Sequence, residues 1–131
     1  MSFTVRRAGV EHYPLDEDDA FSVGVDDGDT TGAGRSILFM CMEEEEDEDL
    51  ERYCLSMETG LSHYGGVERL ELRRDRLTID LDEDAVDTLR LETNRLDLPL
   101  EIPEDSFEEL RSGLYRVFGY GREDRPELIG F

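Results

Sequence analysis

The chain has 131 residues, in which 35 acidic and 14 basic side chains give a formal net charge of −21. A chain of this length can bury one core without disulfides or metals, so we expect a single domain over residues 1–131. A field this negative repels nucleic acid and anionic membranes, and it attracts basic proteins and divalent cations.

Two further properties of the sequence bear on where in the cell the protein is located. No apolar window approaches the roughly 18 residues that span a bilayer, and the first residues lack the apolar region of a signal peptide. The two cysteines are too few for a disulfide framework, so we expect free thiols and a cytoplasmic protein. All 14 basic residues are arginine. The acidity therefore has a second explanation, which is a salty cytoplasm or a genome that favours arginine over lysine.

The first quarter of the chain predicts two strands separated by an acidic loop. Residues 3–9 alternate between apolar and polar side chains, which predicts a strand that ends near Gly9. A loop with Pro14 and an acidic cluster follows. Residues 21–25 then place three large apolar side chains on one face of a second strand. The Gly- and Asp-rich segment 26–34 predicts a loop.

The central part of the chain has the pattern of a β-hairpin. An apolar run at residues 37–42 leads into seven acids at residues 43–49, and the alternating segment 53–57 returns. Antiparallel pairing about the middle of the acidic run gives one wholly apolar face. The pairs predicted on that face are Met42 with Tyr53, Met40 with Leu55, and Leu38 with Met57. On the other face, Cys41 is predicted to lie opposite Cys54.

After a short connector over residues 61–66, a second hairpin has a more regular pattern, with Arg74 and Asp75 at its turn. The core-facing pairs predicted for it are Leu72 with Leu77 and Leu70 with Ile79. The solvent-facing pairs predicted for it are Arg69 with Asp80 and Glu71 with Thr78. Asp82 then has the position of an N-cap for a short helix over residues 83–89.

The last third of the chain predicts a strand and a helix. Leucine and isoleucine alternate with polar residues over residues 95–102, where Pro99 indicates an edge strand. A helix follows with Ser106 as N-cap and Gly119 just past its end. Its apolar stripe consists of Phe107, Leu110, Leu114 and Phe118. The pattern of residues 120–131 leaves open whether that segment docks on the fold.

Together these elements predict an α+β protein. We expect a mainly antiparallel sheet of about six to seven strands, with the C-terminal helix and the short helix packed on one face.

Two acidic clusters are the densest concentrations of charge, and both fall in predicted loops. The first contains Asp16, Glu17, Asp18 and Asp19, and the second contains Glu43, Glu44, Glu45, Glu46, Asp47, Glu48 and Asp49. Neighbouring carboxylates about 7 Å apart repel by roughly 0.6 kcal/mol in water, a cost that a basic partner relieves. We predict that these residues form part of the surface that meets a basic partner. The alternative is a pair of solvated loops.

The patterns that catalysis requires are mostly missing. The chain has no Gly-rich phosphate loop, no His-Glu-x-x-His, no Cys-x-x-Cys and no Gly-x-Ser-x-Gly. His12 and His63 are the only histidines, and each stands beside a tyrosine in a turn-like segment. We expect no catalytic residues and no cofactor. A small enzyme that uses His63 with nearby carboxylates remains an alternative.

Calcium is the metal that the carboxylates could suit, because hard cations take oxygen ligands. Asp80, Asp82 and Asp84 match the first three ligand positions of an EF-hand loop. Ala85 stands where that loop needs glycine, and Leu91 stands where it needs a bidentate acid, so the match fails. We expect no specific metal site, and a cation-binding module that uses residues 16–29 remains an alternative.

Several stretches of the second half of the chain resemble one known family. They are Tyr53-Cys54-Leu55-Ser56-Met57-Glu58, Tyr64-Gly65-Gly66-Val67-Glu68-Arg69-Leu70-Glu71-Leu72, Asp75-Arg76-Leu77-Thr78-Ile79, the acidic short helix and Phe107-Glu108-Glu109-Leu110-Arg111. Over roughly residues 37–118 the chain resembles the immunity protein 10 family of bacterial polymorphic toxin systems. The resemblance implies a small intracellular protein that binds and neutralises a cognate toxin. It brings no catalytic residues with it.

The expected function is therefore toxin neutralisation by binding alone. Such an inhibitor needs a rigid scaffold, an interface and electrostatic steering. Many toxins with nuclease activity are basic because they bind nucleic acid, so the expected partner is a basic cognate toxin. No nucleic acid and no membrane is expected as a partner. The cation-binding module and a generic acidic domain of the halophile type stay open as alternatives, as does the oligomeric state.

Overall fold

The computed structural model describes residues 3–14, 19–28, 34–43, 53–119 and 126–131, and these contain nine strands and two helices. The strands are β1 (Arg7–Pro14), β2 (Asp19–Asp26), β3 (Ser36–Glu43), β4 (Cys54–Met57), β5 (Ser62–Tyr64), β6 (Val67–Arg73), β7 (Arg76–Leu81), β8 (Arg95–Pro99) and β9 (Glu127–Ile129). The helices are α1 (Glu83–Leu89) and α2 (Glu104–Gly119). The predicted α+β class with mainly antiparallel pairing is confirmed. The strands form two sheets, of five and four strands, where we expected one.

The five-stranded sheet joins β1 to β5 in sequence order, and each neighbouring pair is antiparallel. The predicted second strand is confirmed as β2. The first strand was predicted over residues 3–9, but β1 covers Arg7–Pro14, so the predicted end near Gly9 and the predicted loop position of Pro14 are wrong. Pairing with the whole of β2, from Arg7 opposite Asp26 to Pro14 opposite Asp19, sets its length. Strand β5 lies in the segment that we expected to be only a connector, and it adds an edge to the sheet.

The pairing of β3 with β4 differs from the prediction by one residue. Phe39 lies opposite Leu55, and Met40 lies opposite Cys54, so the predicted pair of Met40 with Leu55 is wrong. A shift of one residue moves every side chain of a strand to the other face. Ile37 and Phe39 are therefore buried in the core, while Met40 is half-buried on the opposite face.

The same shift separates the two cysteines. Cys41 is buried on the core side, whereas Cys54 is half-buried and lies opposite Met40 on the other side of the sheet. The predicted Cys41–Cys54 neighbours are therefore wrong, although both thiols are free as predicted. Residues 37–42 are apolar at every position, so their pattern could not say which face is buried. Packing against α2 decides it, because the Phe39 and Phe118 rings meet edge to face with centroids 5.7 Å apart.

Helix α2 covers one face of the five-stranded sheet, and the predicted apolar stripe is buried. Gly113 allows the close approach, since a Cβ there would lie 2.6 Å from Val23 Cγ2. The helix begins at Glu104, so Ser106 lies inside the first turn and the predicted N-cap is wrong. Pro103 stands before the first turn, where a proline is tolerated, and its carbonyl accepts a hydrogen bond from Phe107 N–H at 3.0 Å.

The four-stranded sheet has the order β8-β7-β6-β9. The four residue pairs predicted for the second hairpin are all confirmed in the pairing of β6 with β7. Strand β8 lies at an edge, as Pro99 indicated. The sequence left open whether residues 120–131 dock on the fold. Within them, β9 does so by pairing in parallel with β6. Asp82 caps α1 as predicted, with its Oδ1 accepting a hydrogen bond from Ala85 N–H at 2.9 Å.

One buried cluster contains residues from both sheets and both helices. The N-terminal segment helps to connect the two sheets. Val5 N–H donates to the Pro99 carbonyl beside the four-stranded sheet, and Arg6 N–H donates to the Asp26 carbonyl at the end of β2, each at 2.8 Å. The two sheets are therefore held together at this side by backbone hydrogen bonds as well as by the core.

Candidate partner-binding surface

Each of the two predicted acidic clusters has one residue at the same end of the five-stranded sheet. Asp19 is the first residue of β2 and Glu43 is the last residue of β3, and the two are directly opposite each other in the ladder. Pro14, the last residue of β1, lies opposite Asp19 on the other side. Directly opposite residues in antiparallel strands have Cα atoms about 4.5 to 5.5 Å apart. Segment 15–18 therefore leads into β2 directly beside the point where β3 leads into segment 44–52.

The other members of the two clusters lie outside the residues that the structure describes. They are Asp16, Glu17, Asp18, Glu44, Glu45, Glu46, Asp47, Glu48 and Asp49. Asp19 and Glu43, which we expected in loops, belong to strand ends. The structure thus relates the two clusters through the backbone of these two residues, which are 24 positions apart in the sequence.

Tyr53 attaches the far end of the acidic segment to the core. It is 6% exposed, and its ring lies edge to face against that of Phe118, with centroids 4.6 Å apart. Its hydroxyl oxygen accepts a hydrogen bond from Val67 N–H at 2.8 Å, and its backbone carbonyl accepts one from Gly65 N–H at 3.0 Å. The chain therefore leaves segment 44–52 at a fixed, buried position.

The exposed face of the four-stranded sheet is different, because its charges are paired with one another. The ion pairs are Arg76–Asp97, Arg95–Asp80, Arg73–Glu71, Arg69–Glu71 and Arg69–Glu127. A hydrogen bond from Arg95 to Asp80, together with the charge of that carboxylate, raises the pKa of Arg95 above its ordinary value. Four arginines and four acids contribute to these pairs, so they add no net charge to this face.

The five-stranded sheet has one face that α2 does not cover, which we call the outer face. The alternation of the strands puts Gly9 and Glu11 of β1, Ser22 and Gly24 of β2, and Leu38 and Met40 of β3 on it. An open groove of about 440 Å³ runs over β1, β2 and Leu38 of β3. The sequence pattern does not reveal this groove, because the groove depends on pairing between separate strands.

His63 has a structural position. It lies opposite Leu55 in the pairing of β4 with β5, and it is half-buried. Its ring packs against Gly66, where an added Cβ would lie 2.9 Å from His63 Cδ2. Gly66 has φ 89°, a conformation that favours glycine. His63 therefore contributes to the packing around the β5–β6 turn. The side chain of the other histidine, His12, lies outside the described residues.

Three of the aspartates considered for calcium have separate structural partners. Asp82 caps α1, Asp80 binds Arg95, and Asp26 accepts hydrogen bonds from Arg7 and from Gly28 N–H. Within the described residues, no group of three or more His, Cys, Asp or Glu side chains could hold a metal ion. In the same part of the chain, no helix has the length and apolar character needed to cross a membrane.

Comparison with known proteins assigns the family. Residues 4–108 match the family described as immunity protein 10. The match covers most of the chain, so the chain belongs to the immunity protein 10 family, and the resemblance inferred from the sequence is confirmed. The match extends further toward the N-terminus than we predicted, into β1 and β2, and it ends within α2. No curated protein and no solved structure gives a significant match.

Proposed function

We propose that this chain is an immunity protein that binds a cognate polymorphic toxin and neutralises it by protein–protein contact, without catalysis of its own. The toxin surface that it meets is basic. A nuclease suits this charge best, because nucleases carry positive charge where they bind nucleic acid. The protein acts in the cytoplasm as one domain over residues 1–131, and it needs no cofactor.

The observation that supports a basic partner is the cross-strand pairing of Asp19 with Glu43. It brings the last residue of the first acidic cluster and the first residue of the second to one end of the five-stranded sheet. Like charges that are concentrated in this way repel one another, and a cationic surface relieves that repulsion. Complementary charge also steers encounter, and it raises association rates most at low salt.

The exposed face of the four-stranded sheet is less suited to binding a basic partner than the acidic end of the five-stranded sheet. Its arginines and acids are already paired within the protein, for example Arg76 with Asp97 and Arg95 with Asp80. A partner that bound there would have to compete with these pairs, and it would meet no net charge. The proposed interface therefore belongs to the five-stranded sheet.

A binding mechanism also agrees with the roles of the residues that chemistry would need. His63 packs against Gly66, Asp82 caps a helix and Cys41 is buried in the core. Each of these side chains has a structural role in the described part of the chain. The family supplies the remaining support, since immunity proteins as a class act on toxins by occupying them.

The test uses the purified product of the reading frame next to the one that encodes this chain, because immunity genes lie beside their toxins. We expect titration calorimetry to give a saturable complex of fixed stoichiometry. We also expect co-expression to restore the growth of cells that make the toxin. Loss of toxin activity should scale with the amount of complex. Inactivation by far less than one equivalent would indicate an enzyme, and an absence of binding would refute the proposal.

Calcium titration of the chain alone separates the cation-binding alternative. We expect only weak binding without saturation, because several of the described aspartates have structural partners, such as Arg95 for Asp80 and Arg7 for Asp26. Saturable binding at micromolar calcium would favour the cation-binding module instead.

A further inference from the structure

We infer that the outer face of the five-stranded sheet, centred on Gly9, Gly24 and Leu38, is the surface on which the basic partner docks. This inference rests on the proposed function and adds to it the location of the interface. The groove then forms the centre of the interface, and the strand ends at Asp19 and Glu43 lie toward its rim.

The outer face has the composition of an interface centre. Leu38 and Met40 lie in β3, the middle strand of the sheet, and both are half-buried although α2 packs on the opposite face. Ser22, between Glu11 and Met40 on the neighbouring strands, is 5% exposed and is the one buried polar residue in the described part of the chain. Interfaces typically combine an apolar centre with a charged or polar rim.

The groove exists because two glycines are opposite each other in neighbouring strands. Gly9 of β1 pairs with Gly24 of β2, and Gly24 pairs in turn with Leu38 of β3. Without side chains at the first two positions, the floor of the groove is backbone, and the Leu38 side chain stands beside it. The Arg7–Asp26 ion pair, at 2.8 Å, closes one end, and Glu11 lies toward the other.

The fold itself does not need glycine at either position. Neither residue has a positive φ, unlike Gly65 and Gly66. A Cβ on Gly9 would meet nothing within 4 Å, and one on Gly24 would meet only Leu38 Cδ1 at 3.7 Å, an ordinary contact. Glycine inside a strand costs stability, and it often marks a place where another molecule approaches the backbone closely. A docked partner explains both glycines.

Charge favours a basic occupant over an apolar one or a second copy of this acidic chain. From Gly9 to Pro14 on β1, and from Gly24 to Asp19 on β2, the strands run five residues toward the acidic end, or about 17 Å. A standard interface involves about 20 to 30 residues on each side, so it spans this distance easily. A partner segment in the groove would therefore have its basic flank beside the strand ends at Asp19 and Glu43.

The test fills the groove with a side chain. Gly9→Leu should leave thermal unfolding unchanged or slightly improved, because the position has space and strands disfavour glycine. It should weaken binding of the adjacent reading frame's product by about tenfold or more, because the added side chain occupies the centre of the interface. The matched control is Thr78→Leu, which adds bulk at the middle of the exposed face of the four-stranded sheet, and it should bind as the unaltered chain does.

The outcomes separate the two proposals. If the unaltered chain does not bind, the proposed function fails. If it binds and Gly9→Leu binds equally well, the function stands and the docking surface is wrong. If Gly9→Leu does not fold, Gly9→Thr is the second variant. Hydrogen exchange of the complex gives an independent reading, with slowed exchange expected in residues 7–11 and 22–26. Protection confined to residues 69–81 would overturn the inference.

Discussion

Tyr53 and Val67 are joined by two hydrogen bonds between the end of the acidic segment and the start of β6. The Tyr53 hydroxyl oxygen accepts from Val67 N–H at 2.8 Å, and the hydroxyl donates to the Val67 carbonyl at 3.3 Å. Both groups are buried, and the bonds connect the five-stranded sheet to the four-stranded one. The residue that follows segment 44–52 is therefore fixed at the junction of the two sheets.

This junction gives the first prediction. Tyr53→Phe keeps the ring against Phe118 but leaves the Val67 N–H and carbonyl without the hydroxyl, so it should lower the free energy of unfolding by about 1–3 kcal/mol. Urea denaturation measures the loss. Tyr115→Phe is the control, because Tyr115 is 53% exposed on α2, and it should change stability by less than about 0.5 kcal/mol. Equal stability of both variants would mean that the hydroxyl contributes nothing.

The register of β3 against β4 gives the second prediction. Phe39 is fully buried opposite Leu55, so Phe39→Ala should cost about 3–5 kcal/mol and Leu55→Ala about 2–5 kcal/mol. Met40→Ala, on the outer face, should cost on the order of 1 kcal/mol. The same denaturation experiment compares the three variants. A larger loss of unfolding free energy for Met40→Ala than for Phe39→Ala would support the register expected from the sequence.

A comparison of the two hairpins shows why the sequence predicted the register of β6 with β7 correctly and the register of β3 with β4 wrongly. In β6 and β7, apolar and charged side chains alternate on both strands around a polar turn at Arg74 and Asp75, so only one register buries the leucines. Residues 37–42 are apolar throughout. Their alternation is missing, and only long-range packing against Phe118 selects the buried face.

The division into two sheets was beyond the sequence pattern for a similar reason. It depends on contacts between distant segments, such as the parallel pairing of β9 with β6 and the bridge of Val5 to Leu100. The acidic clusters were visible as composition, but their shared end of the sheet follows from the pairing of Asp19 with Glu43. Gly24, inside the predicted second strand, was the available signal for the groove, whereas Gly9 was expected at the end of the first strand.

The third prediction concerns the cysteines, which lie on opposite faces of the five-stranded sheet. Cys54 is half-buried on the outer face and Cys41 is buried in the core, so an alkylating reagent should modify Cys54 first in the folded protein. Peptide mass spectrometry after brief labelling measures the two sites. Cys54→Ser should remain nearly unlabelled until the protein is unfolded. Equal labelling of both sites in the folded state would contradict the assignment of faces.

The last prediction tests the charge of the proposed rim. Replacing Glu44, Glu46 and Glu48 with glutamine removes three negative charges from the segment that begins at Glu43, next to Asp19. Because charges at the rim act mainly on encounter, the association rate with the toxin should fall at low salt, and its dependence on salt should become flatter. Dissociation and folding should change little. Stopped-flow binding at two salt concentrations measures both rates.

A variant of equal charge separates a local effect from net charge. Glu92, Glu104 and Glu109 are exposed and lie outside the two acidic clusters, so changing all three to glutamine makes the same change in net charge at another place. If the rim steers the partner, this control should slow association much less at physiological salt, because the field of a charge there weakens within a Debye length of about 8 Å. Equal slowing would mean that only net charge matters. An unchanged association rate in the variant of Glu44, Glu46 and Glu48 would mean that segment 44–52 is not part of the rim.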